Sequence, residues 1–152
     1  VFTTVHARDS VNTIFRLLDL GVERFLVANA VTMTLSQRLV RKLCDHCKRP
    51  YRPDGKTIVA LGLEGHQIER FYESVGCTQC MDTGFRGRLA LFEMLSFNPQ
   101  LRDVILTKPT IKQIRNAAGE WMFRTLRTSG LAKVADGLTT VEEVERVAGG
   151  EA

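Results

Sequence analysis

Four cysteines carry the most specific chemistry in this 152-residue sequence. They form two Cys-x-x-Cys pairs, Cys44-Asp45-His46-Cys47 and Cys77-Thr78-Gln79-Cys80, with residues 48–76 between them and no thiol left over. One such pair can place two sulfurs on one side of a tight turn, and two pairs can close a tetrahedron around Zn²⁺. The spacer exceeds the roughly 15–20 residues of a compact zinc ribbon, so a small subdomain should fill it. Two other uses of the thiols stay open. A disulfide framework suits small secreted domains without a core, whereas this chain is long enough for an ordinary core and shows no signal peptide. Redox chemistry needs only one pair beside a βαβ pattern. His46 could replace a sulfur as ligand, and His66 in the spacer reads as a solvated histidine. His6 is a second candidate for chemistry, because it follows the strand-like run Val1-Phe2-Thr3-Thr4-Val5. Ligands of open α/β sheets bind at that end of a strand.

The elements that must position these groups can be read from periodicity. Residues 1–5 predict a buried strand, β-branched and apolar. Asp9 and Ser10 offer N-caps to a helix carrying Val11, Ile14, Phe15, Leu17 and Leu18, which Gly21 closes. Residues 23–30 predict a second helix with Phe25, Leu26 and Val27 inward. From Val31 the period becomes two, with Val31, Met33 and Leu35 alternating with Thr32, Thr34 and Ser36, so a strand is expected through Leu39. Pro50, Pro53 and Gly55 mark turns, and residues 57–63 and 67–75 predict short helices in the spacer. Leu89, Leu91, Phe92, Met94 and Leu95 predict a strand, Asn98-Pro99 a helix start, and Thr110 a further cap. Residues 122–133 predict another helix, Thr140 and Glu143 a capping box before the last one, and residues 149–152 a frayed end.

Composition sets the class. With 44% hydrophobic and 25% charged residues the chain is an ordinary globular protein, and no apolar run reaches the roughly 18–20 residues of a spanning helix. Net charge is +4. Arg38, Arg41, Lys42, Lys48, Arg49 and Arg52 surround the first cysteine pair. They could neutralise phosphates or offset the net negative charge of a zinc tetrathiolate. A single aromatic among them, Tyr51, argues against a stacking surface for single strands. The strand-like opening and the missing initiator Met lead us to expect the C-terminal part of a longer protein.

Nearly the whole chain resembles the C-terminal third of the ATPases of type II secretion and type IV pilus assembly. Residues 1–9 are similar to that family's histidine box, residues 17–23 to its following helix and turn, and Ser36-Gln37-Arg38-Leu39-Val40-Arg41 to its Gln-Arg-Leu segment. The paired cysteines resemble its zinc subdomain, Gly84-Phe85-Arg86-Gly87-Arg88 and Phe92-Glu93-Met94-Leu95 the strand after it, and residues 137–144 its closing helix.

The resemblance implies an α/β fold: the C-terminal part of a RecA-like P-loop ATPase core over residues 1–43, an inserted tetracysteine zinc subdomain over 44–83, and a returning strand and helical bundle over 84–152. It implies structural Zn²⁺ on Cys44, Cys47, Cys77 and Cys80, and His6 near the γ-phosphate. For the parent protein it implies ATP and Mg²⁺, a homohexameric ring, cytoplasmic location at the periphery of the inner membrane, and docking to an inner-membrane platform protein, with no nucleic-acid partner. The family's phosphate-binding loop and acidic boxes are not in this sequence. Gly55-Lys56-Thr57 is no substitute, because Pro50 stands where that loop needs glycine and no strand is expected before it. The chain alone should therefore not hydrolyse ATP. The alternative is a zinc-stabilised module that binds nucleic acid or serves only as a structural interaction unit.

Overall fold

The computed structural model describes residues 1–63, 70–119 and 123–149. These form seven helices and four strands among the described residues: α1 (Ser10–Asp19), α2 (Arg24–Ala30), β1 (Met33–Leu43), β2 (Arg49–Tyr51), α3 (Gly55–Ala60), β3 (Phe71–Glu73), β4 (Phe85–Ser96), α4 (Pro99–Leu106), α5 (Ile111–Ala118), α6 (Leu126–Ala135) and α7 (Val141–Ala148). The strands make two two-stranded sheets, β1 with β4 and β2 with β3. The chain divides into two compact units, Val1–Gln37 with Phe92–Leu126, and Arg38–Leu91 with Arg127–Ala152.

The first unit is built on helix ends that local sequence specifies. Asp9 caps α1 by accepting from the Asn12 N–H at 2.7 Å. Asn98 caps α4 by accepting from Leu101 N–H at 2.7 Å, with Pro99 in the first turn. Thr110 and Gln113 form a reciprocal capping box at α5. Such contacts supply orphan backbone groups with partners within three residues. Between these ends lies one apolar core, made by Val11 and Ile14 of α1, Val27 and Ala28 of α2, Leu95 and Phe97, Leu101 and Ile105 of α4, and Ile114 and Ala118 of α5.

Two sequence expectations fail here. Residues 1–5 form no strand: neither sheet of the described residues includes them, and Val1 and Phe2 are fully exposed. Extended backbone becomes a strand only when a neighbour supplies hydrogen bonds. On α2, Phe25 and Leu26 face outward, and Val27 and Ala28 alone are buried. The period-two strand expected from Val31 through Leu39 runs from Met33 to Leu43, and its polar positions are the buried ones. Thr34 and Ser36 are buried, whereas Met33, Leu35 and Leu39 are exposed. Strand β4 repeats this, with Glu93 buried between exposed Phe92 and Met94. Polar side chains point inward because α1 starts beneath them. The Thr34 hydroxyl donates to the Ser10 carbonyl at 3.0 Å, and the Glu93 carboxylate accepts from Ser10 N–H at 2.9 Å.

The second unit packs Leu63, Phe71, Leu131, Val134 and Val144 into a smaller core. Residues 71–73 are strand β3 and not part of a helix, while 67–69 lie outside the described residues, as does His66. The strand wins because Phe71 is buried and pairs with Tyr51 across the sheet, ring centroids 6.0 Å apart and edge to face. A short strand, β2, does precede Gly55-Lys56-Thr57, contrary to the sequence reading. The first turn of α3 is nonetheless closed by Asp54, whose carboxylate accepts from Thr57 N–H at 2.7 Å. The helix of residues 122–133 begins only at Leu126, with Met122 outside the described residues, as are 150–152 of the expected frayed end. The Thr140–Glu143 box is half formed. The Thr140 hydroxyl accepts from Glu143 N–H at 3.3 Å, but the Glu143 carboxylate turns to Arg41 and Arg146.

Candidate metal centre

The two Cys-x-x-Cys segments fold as two tight turns in the second unit. Strand β1 ends at Leu43 and delivers Cys44, whose carbonyl accepts from the N–H of Cys47 at 3.3 Å and of Lys48 at 3.0 Å. The second turn is a 3₁₀ turn over Thr78–Cys80, closed by Cys80 N–H and Asp82 N–H donating to Cys77 O at 3.1 and 2.9 Å. Cys44 N–H donates to Gly84 O at 2.9 Å, so backbone bonding sets one turn against the segment following the other.

Two glycines make this approach possible. A Cβ on Gly76 would lie 2.8 Å from Asp82 O, and one on Gly84 would lie 2.5 Å from the Ser74 Cβ; both residues have positive φ. Their N–H groups reach the sulfurs: Gly76 donates to Cys47 Sγ at 3.3 Å and Gly84 to Cys80 Sγ at 3.2 Å, while Cys77 N–H donates to Cys80 Sγ at 3.2 Å. The role of Gly76 escapes a reading of the cysteines alone; its signal is a glycine directly before Cys77.

The geometry fits a closed metal shell. All four sulfurs lie within 4.8 Å of one another. Cys44–Cys77 are 3.9 Å apart, and Cys47–Cys80 and Cys77–Cys80 are 3.8 Å apart. A regular tetrahedron of about 2.3 Å Zn–S bonds has an S···S edge of about 3.8 Å. A disulfide needs about 2.05 Å, and all four cysteines are free thiols. His46 is not part of the cluster. Four sulfurs would close the shell around Zn²⁺ and leave no position for water, which is the arrangement of a structural site.

The site's electrostatics are uneven. Burial pushes the Cys80 thiol up, but N–H donation from Cys77 and Gly84 and the neighbouring thiols bring it down to about 7. Burial pushes Cys47 up against the Gly76 N–H, and with the thiols of Cys80, Cys77 and Cys44 it reaches about 11. Four of the surrounding cations, Arg41, Lys42, Lys48 and Arg49, have carboxylate partners of their own. Lys42 and Lys48 bracket Asp45 at 2.9 and 3.1 Å, and their hydrogen bonds hold its carboxyl below the usual range. Lys48 also lies 4.9 Å over the Tyr72 ring and donates to Gly137 O at 3.1 Å, which ties the first turn to the end of α6.

His6 belongs to the first unit, in the segment before α1, where it is exposed, and the cysteines belong to the second. Three residues after His6, past exposed Arg8, the chain becomes buried at Asp9 and Ser10.

Comparison with known proteins places this arrangement in a lineage. Residues 1–146 match the family model described as "Type II/IV secretion system protein". The chain is 40% identical over 146 residues to the type IV pilus assembly ATPase PilB of Thermus thermophilus, covering 95% of this chain and 16% of that protein. It is 38% identical over 147 residues to PilB of Myxococcus xanthus, covering 95% of this chain and 26% of that one. To the type II secretion system protein E of Pseudomonas aeruginosa it is 35% identical over 147 residues, covering 97% of this chain and 29% of that one. The chain thus spans less than a third of each of these relatives. With a match reaching from the histidine-containing segment through the cysteine cluster to α7, the chain belongs to the type II/IV secretion system protein family.

Proposed function

We propose that this chain is the C-terminal part of an ATPase that powers type II protein secretion or type IV pilus assembly. The observation that carries this reading is 35–40% identity over at least 95% of the chain to relatives that include pilus assembly ATPases and a type II secretion protein. In the parent protein the core is RecA-like, the assembly a homohexameric ring, and the location cytoplasmic, at the periphery of the inner membrane. Among the described residues no helix is long and apolar enough to cross a membrane. An inner-membrane platform protein is the expected partner.

Within that reading Cys44, Cys47, Cys77 and Cys80 hold a structural Zn²⁺. When bound, the metal supplies folding free energy to a unit whose own apolar core is small. His6 sits near the γ-phosphate, where a neutral imidazole can exchange a hydrogen bond with it. ATP and Mg²⁺ are bound chiefly by parts of the parent outside this sequence.

The test uses the full-length protein that contains this chain. We expect Mg²⁺-dependent ATP hydrolysis that His6→Ala slows with zinc content unchanged, and no hydrolysis by residues 1–152 alone. A full-length protein without ATPase activity, or one that His6→Ala leaves at full turnover, overturns the assignment or the role of His6 respectively.

A further inference from the structure

Glu93 stands in an apolar strand, Leu91-Phe92-Glu93-Met94-Leu95, yet it is the residue turned inward, 1% exposed, while Phe92 and Met94 stay half exposed. Burying a carboxylate is costly unless hydrogen bonds replace its water. Here Oε1 accepts from both Ser10 N–H at 2.9 Å and Ser10 Oγ–H at 2.5 Å. Oε2 accepts from Leu126 N–H at 3.0 Å. Ser10 is the first residue of α1 and Leu126 the first of α6, so one carboxylate meets the positive ends of two helices.

Capping alone does not account for this. Asp9 already serves α1 as its cap, accepting from both the backbone N–H and the side-chain amide of Asn12 at 2.7 Å. What Glu93 adds is placement. With Thr34 donating to Ser10 O at 3.0 Å, Ser10 is held at its N–H, its hydroxyl and its carbonyl by the two strands. Ser10 follows His6 by four residues, with only Ala7, Arg8 and Asp9 between them. Leu126, held by the other oxygen, is the last residue of the first unit before the chain passes into the second.

We infer that Glu93 is a positioning residue for the histidine segment: through Ser10 it fixes the exit of residues 6–9 and thereby the setting of His6. This rests on the proposed nucleotide role of His6. A charge, not merely an apolar filler, is needed because three donors converge on the two oxygens. Glutamine would present one NH₂ to a donor that needs an acceptor.

The experiment is a mutant cycle in the full-length protein, with Glu93→Gln, Ser10→Ala, His6→Ala and the His6/Glu93 double, measuring kcat and KM for ATP and zinc content. We expect Glu93→Gln to lower kcat on the order of tenfold or more with KM and zinc unchanged. The double variant should be no slower than His6→Ala, because residues acting as one unit are not additive. If Glu93→Gln does not fold, Ser10→Ala, which removes only the hydroxyl contact, must show a smaller loss of the same kind. Multiplicative losses in the double variant, or a Glu93→Gln or Ser10→Ala enzyme with normal kcat, overturn the inference even where His6→Ala is slow. Absence of ATPase activity in the wild-type protein, or normal turnover in His6→Ala, instead removes the reading on which it rests and the inference with it.

Discussion

The Glu143 carboxylate, only 1% exposed, accepts three hydrogen bonds from Arg41, 102 residues earlier: from its backbone N–H at 2.9 Å and from Nε and an Nη at 3.0 and 2.7 Å. Arg146 adds two more at 3.0 and 2.6 Å, and Thr139 Oγ–H bonds Arg41 O at 2.8 Å. The Arg41 guanidinium lies 4.1 Å over the Phe85 ring. This knot fastens α7 to β1 three residues before the first metal-ligand candidate.

Burial pushes the Glu143 carboxyl up, but the hydrogen bonds from Arg146 and Arg41 outweigh it and hold the group at about 2, against an ordinary 4.5. The folded value is the lower one, so the stabilisation is present above about pH 4.5 and is lost as pH falls towards 2. Glu143→Ala should cost about 1–2 kcal/mol at neutral pH, since it removes the charged acceptor shared by two half-exposed arginines, an acceptor that water can partly replace. The cost should shrink steadily below pH 4.5. Urea melts of both proteins between pH 3 and 7 would measure it; a pH-independent difference would contradict the ion-pair account.

Metal removal should act locally. Zinc at one atom per chain is expected by mass spectrometry, retained through dialysis and released by a strong chelator. On release the melting temperature should fall by more than about 5 °C. Hydrogen exchange should rise at residues 44–51 and 71–84 and change little in α4 and α5. Uniform loss of protection would mean that the metal supports the whole chain.

Gly84→Ala should weaken metal retention without touching a sulfur. The added methyl would lie 2.5 Å from Ser74 Cβ at φ +73°, and the shift that relieves it pulls the Gly84 N–H from Cys80 Sγ. A cost of about 1–3 kcal/mol follows from the backbone strain alone. Competition with a chromophoric chelator would show faster zinc loss than in the wild type.

The metal-free thiols should ionise in separated steps. With Cys80 at about 7 and Cys47 at about 11, thiolate absorbance should rise first near neutrality and last in strong alkali. Because metal binding displaces thiol protons, zinc affinity should fall with pH from about 11 downward and more steeply below about 7. Cys80→Ser should abolish the first step; a titration with one step near the ordinary thiol value would refute the uneven field.

The sequence by itself determined what is decided within a few residues. Asp9, Asn98-Pro99 and Thr110 close helix ends because a cap reaches only to its own first turn. The two Cys-x-x-Cys turns form for the same reason, and the order of motifs from His6 to α7 was enough to suggest the family that the match over residues 1–146 establishes. Tertiary structure decided what depends on distant donors. Which faces of β1 and β4 turn inward is set by Ser10 of α1, whose carbonyl takes the Thr34 hydroxyl as donor and whose N–H takes the Glu93 carboxylate as acceptor. Residues 71–73 became a strand because β2 stands beside them. Glu143 abandoned its half of the capping box because Arg41 offers a stronger, charge-assisted set of donors. Alternation along a strand is a local property, but the side on which a partner waits is not.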